Sequence, residues 1–264
     1  MNIHFISGLP RSGSTLLSAI LKQNERFAAG MTSPVATIYR HTEDAMAMRQ
    51  ETSVFIDDVI RRRMLKGVFA AYYGASWGHK TIFDTSRMWC ARTAALSLLF
   101  PDARMICCVR DVGNIMESFE RIYQANPLEP SGVYGYDTTG TVYSRVGGLA
   151  SSNGVVGYAL NALREALAGP YADKILLVEY DKLCRDPAAV MDQIYAHIGE
   201  AMFPHDFSNV EYSAGEFDRQ IGASGLHDVS GPVRTIEHRP TLPPGLYDSF
   251  ANDQFWRNPK WRAR

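Results

Sequence analysis

Arg11 stands inside the run Gly8-Leu9-Pro10-Arg11-Ser12-Gly13-Ser14-Thr15, whose residue types and spacing suit the capture of an anion. Four residues separate Gly8 from Gly13 and Ser14-Thr15 follow, which is the frame of a loop that cradles nucleotide phosphates. Its cation is displaced. The usual loop carries Lys directly after the second glycine and then a Ser or Thr that binds Mg²⁺. Here Ser14 fills the lysine slot, and the charge is Arg11, held behind the rigid Pro10. Backbone N–H groups plus one guanidinium fork suit a single phosphate or sulfate-like group. A helix opening near Ser14 would add its N-terminal dipole, about 0.3–1 kcal/mol for a nearby anion. Charge-assisted hydrogen bonds from Arg11, Ser14 and Thr15 would add about 1.5–3 kcal/mol each.

Such a loop needs a buried strand before it and a helix after it. Ile3-His4-Phe5-Ile6 reads as that strand and Leu16-Leu17-Ser18-Ala19-Ile20-Leu21 as that helix. A second buried strand, Ala103 to Val109, ends in Arg110-Asp111 and leads into a helix with Ile115, Met116, Ser118, Phe119 and Ile122. A third runs from Ile175 to Asp181, and Asp186-Pro187 opens a helix Ala188–Ile198 that stops at Gly199. Strands alternating with helices predict an α/β fold with a mostly parallel central sheet flanked by helices in three layers.

The string Pro10-Arg11-Ser12-Gly13-Ser14-Thr15 resembles the 5′-phosphosulfate loop of sulfotransferases that use 3′-phosphoadenosine 5′-phosphosulfate (PAPS), closest to the tyrosylprotein branch and its bacterial relatives. In that family a strand-end Arg and a Ser eight residues later hold the 3′-phosphate, and Arg110 and Ser118 have that spacing. Leu96 to Phe100 with Pro101-Asp102-Ala103 resembles the family's helix, Phe-Pro turn and strand. The resemblance implies a P-loop nucleotide-binding fold, PAPS as co-substrate with 3′-phosphoadenosine 5′-phosphate (PAP) as product, and no required metal. Pro10, Arg11, Ser12, Gly13, Ser14, Thr15, Arg110 and Ser118 then bind the donor. Tyr180, in a segment similar to the family's Tyr-Glu-Asp-Leu, is expected against adenine. Arg234, in the late loop Gly222–Arg234 with His238 and Arg239 nearby, is expected to close over the 3′-phosphate.

The chemistry asks for positioning, charge stabilisation and a base for the acceptor hydroxyl. The tyrosylprotein branch carries its catalytic Glu in a Gly-Glu-Glu-Thr segment; this chain reads Gly30-Met31-Thr32-Ser33-Pro34, with no carboxylate. Asp84, at the end of a short strand Thr81–Phe83, is the leading base candidate, followed by His79 and His227; a helix N-cap is its ordinary alternative role. The family lysine that touches the reacting group corresponds to Lys80 or Arg87. Arg11, Asp84, Lys80 and Arg87 are therefore the expected catalytic set.

At 264 residues, with 46% apolar residues and no repeat, the chain reads as one domain spanning 1–264. A net charge of −1 gives no general nucleic-acid or acidic-membrane surface. No apolar run is long enough for a signal peptide or membrane span, and a cytoplasmic location is expected. Cys90, Cys107, Cys108 and Cys184 lack metal spacing and read as buried thiols, with Cys107 and Cys108 on opposite strand faces. Two acceptor-side insertions are expected. One is helical, about 41–75, with Phe55, Val59 and Ile60 on one side and Arg61-Arg62-Arg63 on the other; the second is a loop, about 124–153, whose Tyr134, Tyr136 and Tyr143 could line a cleft. The acceptor is expected to be a hydroxyl, on a peptide tyrosine, a small metabolite or a lipid. A homodimer is compatible with all of this. A kinase reading lacks the Lys after Gly13 and an evident Mg²⁺ carboxylate, and a noncatalytic PAPS-binding descendant would explain the absent Glu.

Overall fold

A computed structural model describes residues 2–76, 79–128, 131–135, 140–236, 239–258 and 261. Strands β1 (Ile3–Gly8), β2 (Phe27–Ala29), β3 (Thr81–Thr85), β4 (Met105–Val109) and β5 (Ile175–Glu179) form one sheet in the order β2-β3-β1-β4-β5. Every pairing is parallel. The helices are α1 (Ser14–Lys22), α2 (Val35–Ala45), α3 (Asp58–Tyr73), α4 (Thr93–Leu99), α5 (Val112–Ala125), α6 (Val142–Ala150), α7 (Val155–Ala168), α8 (Tyr180–Arg185), α9 (Pro187–Ile198), α10 (Gly215–Gln220) and α11 (Pro244–Asp248).

Side-chain alternation divides the core into two layers, one on each face of the sheet. Phe5 of β1, Met105, Cys107 and Val109 of β4 face a cluster with Phe69, Trp89, Ile115 and Leu163. Ile6, Ile106, Cys108 and Val178 face the other cluster, with Leu17, Ile20, Leu183, Met191 and Ile194 from α1, α8 and α9. The expected three-layer α/β architecture is present. Cys107 and Cys108 do lie on opposite faces, and all four cysteines are free and buried.

The two insertions differ from expectation. Residues 41–75 are not one helical run: α2 ends at Ala45, a 3₁₀ turn covers Glu51–Phe55, and Asp57 caps α3 by accepting from the Ile60 N–H at 2.7 Å. Leu65 and Phe69 are the buried face of α3, while Phe55 and Val59 are exposed. Residues 124–153 are not simply a loop. Thr141 accepts from the Ser144 N–H and starts α6, where Val146 and Leu149 are buried despite the Gly147-Gly148 pair. Apolar packing there outweighs the poor helix propensity of glycine. A buried ion pair ties α6 to α5: Arg145 Nη2 to Glu120 Oε1 at 2.6 Å and Nε to Oε2 at 3.1 Å, with the guanidinium 3.6 Å from the Tyr123 ring centre.

In a parallel sheet all carboxyl ends lie along one edge. β1 sits between β3 and β4, so successive crossovers leave it in opposite directions and open a crevice at its end, where α/β sheets bind ligands. The segments after Gly8, Thr85, Val109 and Glu179 meet there.

Candidate functional site

The crevice is a cleft of about 1020 Å³, at the upper end of the range for ligand sites, with room for two ligands side by side. Its floor is the Gly8–Gly13 loop. Gly8 has φ 100°, and a Cβ there would come within 2.3 Å of the Cys108 carbonyl oxygen, so only glycine lets the loop leave β1 this close to β4. Gly13, at φ 89°, caps α1 with no side-chain acceptor for the helix's first N–H groups. Those donors need partners. Ser14 and Thr15 line the cleft beside them, and their hydroxyls make no hydrogen bond among the described residues.

Arg11 is the one non-glycine with positive φ among the described residues, at 55°. Its guanidinium donates through Nε to Ser118 Oγ at 3.0 Å and through Nη1 to the Leu226 carbonyl at 2.5 Å. Burial, with Arg110 close by, pushes its pKa down to about 10, so it stays charged at neutral pH. Arg110 follows β4 as expected. Its Nη1 donates to the Arg11 carbonyl at 3.3 Å, its guanidinium lies 4.3 Å from the Tyr180 ring centre, and its Nε is buried with no partner among the described residues. A buried unpaired guanidinium N–H is costly, and an anion would relieve it. Asp111 starts α5 by accepting from the Asn114 N–H at 3.0 Å, which fixes the helix carrying Ser118.

Other expected residues are placed differently. Ser12 is buried and donates to the Leu9 and Cys108 carbonyls, so its hydroxyl shapes the loop and does not face the cleft. Ser118 is covered by Arg11 and is not on the cleft wall. Tyr180 is on the wall, but its ring backs Gly13, where a Cβ would come within 2.6 Å of it, and supports Arg110. Arg234 stands exposed at the mouth of the cleft. Pro10 lines the floor. His238 and Tyr136 lie outside the described residues. Tyr134 turns inward and donates to the Phe119 carbonyl at 2.7 Å, and Tyr143 is exposed away from the cleft.

The expected catalytic set separates. Lys80 and His79 precede β3, at its amino end, with the length of the strand, about 16 Å, between them and the cleft edge. Arg87 follows β3 and opens into the cleft, with no ion-pair partner among the described residues; surrounding protein lowers its pKa by desolvation. Asp84 is neither a cap nor a cleft residue. It lies within β3, fully buried, accepting from Trp89 Nε1, Ser33 Oγ and the Tyr73 hydroxyl, each at 2.7 Å. Burial raises its pKa against these three donors. Asp84 thus anchors the Ser33 segment and α3 to the sheet and is not among the residues that line the cleft.

His227 takes the position left open. It lines the cleft, its Nδ1 is 2.6 Å from Asp218 Oδ1, and its backbone N–H donates to Asp218 Oδ2 at 2.8 Å. Asp218, on α10, is fully buried. Sequence reasoning did not find Asp218, because nothing in a nine-residue separation across a turn marks the pairing. The loop bearing His227 and Arg234 is pinned by backbone pairs between Tyr212 and Val229 and from the Val210 N–H to the Gly231 carbonyl. The apolar part of the cleft lining includes Met31, Met88, Val133, Tyr158, Phe217 and Ile236. No cluster of His, Cys, Asp or Glu among the described residues could hold a metal ion, and no helix there is long and apolar enough to cross a membrane.

The whole chain overlies solved sulfotransferase structures. It covers 96% of its length on 91% of the sulfotransferase domain from the curacin biosynthetic pathway, with a TM-score of 0.53 at 17% identity. It covers 99% of its length on 98% of a sulfotransferase from Alicyclobacillus acidocaldarius, with a TM-score of 0.52 at 14% identity. At these identities the likeness concerns the fold. No curated protein matches the sequence. The sequence profile described as "Sulfotransferase family" matches residues 4–204, most of the chain, and on that ground the chain belongs to the sulfotransferase family.

Proposed function

We propose that the protein moves a sulfuryl group from PAPS to the hydroxyl of an apolar acceptor. One observation carries this reading. Arg110, with a buried and unpartnered Nε, stands beside Arg11 and the uncapped start of α1, so two anion-seeking sites meet at one sheet edge. A nucleotide phosphorylated at both 5′ and 3′ ends fits that pair. The α1 N–H groups, Ser14, Thr15 and Arg11 would hold the 5′-phosphosulfate, and Arg110 the 3′-phosphate. Ser118 would join Arg110 once Arg11 turns away from it. Bound PAPS supplies the activated sulfuryl group. Arg87, with no ion-pair partner among the described residues and facing the same space, would stabilise charge that develops as the group transfers. Arginines supply the charge that Mg²⁺ supplies in kinases, so binding without Mg²⁺ belongs to this reading.

The apolar wall of Met31, Met88, Val133, Tyr158 and Phe217 favours a small metabolite or lipid hydroxyl as acceptor. Peptide tyrosine is a second reading, favoured by Arg234 exposed at the cleft mouth, which suits an acidic residue flanking a tyrosine. Transfer of ³⁵S from labelled PAPS into apolar alcohols, phenols and tyrosine peptides separates the two. Calorimetry without Mg²⁺ should show PAP binding and no competition by ATP at similar concentration. An ATP preference would overturn the sulfotransferase reading.

A further inference from the structure

We propose that His227 and Asp218 form the proton-accepting pair of the active site, with His227 Nε2 as general base and Asp218 as its positioning residue. The inference rests on the sulfuryl-transfer reading above and assigns a base in a chain whose Gly30–Pro34 stretch lacks the Glu of the tyrosylprotein branch.

Geometry defines the roles. Asp218 is fully buried and approaches His227 twice, once at Nδ1 and once at the backbone N–H, so both the ring and its main chain are held by one carboxylate. A carboxylate at Nδ1 keeps the proton on that nitrogen and leaves the lone pair on Nε2. Nε2 makes no hydrogen bond among the described residues, and the ring belongs to the cleft wall. The groups facing the imidazole are Asp218 and the Phe217 ring from α10, Arg11 from the phosphate loop and Arg87 from the turn after β3; Asp228 follows it in the chain. Desolvation lowers the His227 pKa, Asp218 opposes this, and Arg11 and Arg87 add to the lowering, so the ring is neutral at pH 7 and its Nε2 lone pair is free to take a proton. Arg11 and Arg87 share the cleft wall with His227, and they are the cations assigned above to the donor's anionic groups, so the base would stand on the donor side of the cleft.

In the step, the acceptor oxygen forms its bond to sulfur while the bond from sulfur to the bridging phosphate oxygen breaks. That electron pair leaves on the 5′-phosphate of PAP, and the acceptor proton passes to Nε2 and later to water. Asp218 stays ionised and stabilises the imidazolium that forms.

Two measurements test the pair. Histidine ¹⁵N shifts of the ligand-free protein, with His227 assigned from the H227A spectrum, should show the Nδ1–H tautomer at pH 7. An Nε2–H tautomer or a charged ring would overturn the proposal without touching the sulfotransferase reading. H227A should lower single-turnover sulfuryl transfer by about 10²–10⁴-fold, change PAP affinity less than twofold, and recover activity with added imidazole. D218N should lower transfer, and its spectrum should show the His227 tautomer preference lost. Full activity of a folded H227A protein would refute the role of His227, whereas wild-type protein that binds no PAP would refute the reading beneath it.

Discussion

Arg11 Nε donates to Ser118 Oγ at 3.0 Å, so the cation of the phosphate loop lies on the serine that the sequence pairs with Arg110. On the sulfuryl-transfer reading proposed above, the 3′-phosphate would have to displace this guanidinium to reach Ser118. Arg110→Ala should weaken PAP binding by about 10- to 100-fold, the value of one charge-assisted hydrogen bond. Adenosine 5′-phosphosulfate, which lacks the 3′-phosphate, should lose little. Calorimetry with both nucleotides decides this, and equal losses would remove Arg110 from the 3′ site. Ser118→Ala should cost less than Arg110→Ala, because it also frees Arg11.

Arg87 opens into the cleft with no ion-pair partner among the described residues, unlike Arg121, which is paired with Glu117 at 3.2 Å. Its contribution should appear when charge develops. Arg87→Ala is expected to slow single-turnover transfer about 100-fold or more while PAP affinity changes a few-fold, and Arg87→Lys should restore part of the rate. A loss confined to PAP affinity would make Arg87 a donor-binding residue only.

Asp84 predicts a stability effect with a defined sign. Its folded-state pKa is raised, so its favourable contribution is complete below the ordinary aspartate value and is lost as pH rises through the folded value. Asp84→Asn can accept from Trp89 and donate to the Ser33 and Tyr73 oxygens, so it should fold, remain active and lack that decline. Asp84→Ala leaves three buried donors without an acceptor and should lose about 3 kcal/mol or more. Urea unfolding across pH tests both; the same pH slope in wild type and Asp84→Asn would contradict this account.

Much of the donor side was legible because it is local. Gly8 to Thr15 is one contiguous loop, and the Arg110–Ser118 spacing lies within one strand–helix unit, so neighbouring residues in the chain are neighbours in space. β5 and α9 were visible for the same reason, in apolar runs bounded by Asp186-Pro187 and Gly199. The order of the base candidates, and the partner of His227, were not legible. Asp84 and His227 differ by where their side chains end up: Asp84 points into the layer of Trp89 and Tyr73, and His227 meets Asp218 only because the loop folds back over α10. Residues 124–153 misled through their Gly and Ser content, since the packing of Val146 and Leu149 that makes α6 is tertiary.

Arg11 joins charge to backbone strain, and this makes it a site where stability and activity are traded. Its left-handed φ of 55° costs an ordinary residue about 1–2 kcal/mol, a cost that glycine escapes. Arg11→Gly should therefore be about 1 kcal/mol more stable than Arg11→Ala in thermal unfolding, although both remove the guanidinium and with it sulfuryl transfer. Among variants that lack the guanidinium, selection for thermal tolerance should favour glycine at this position, and selection for activity should bring arginine back.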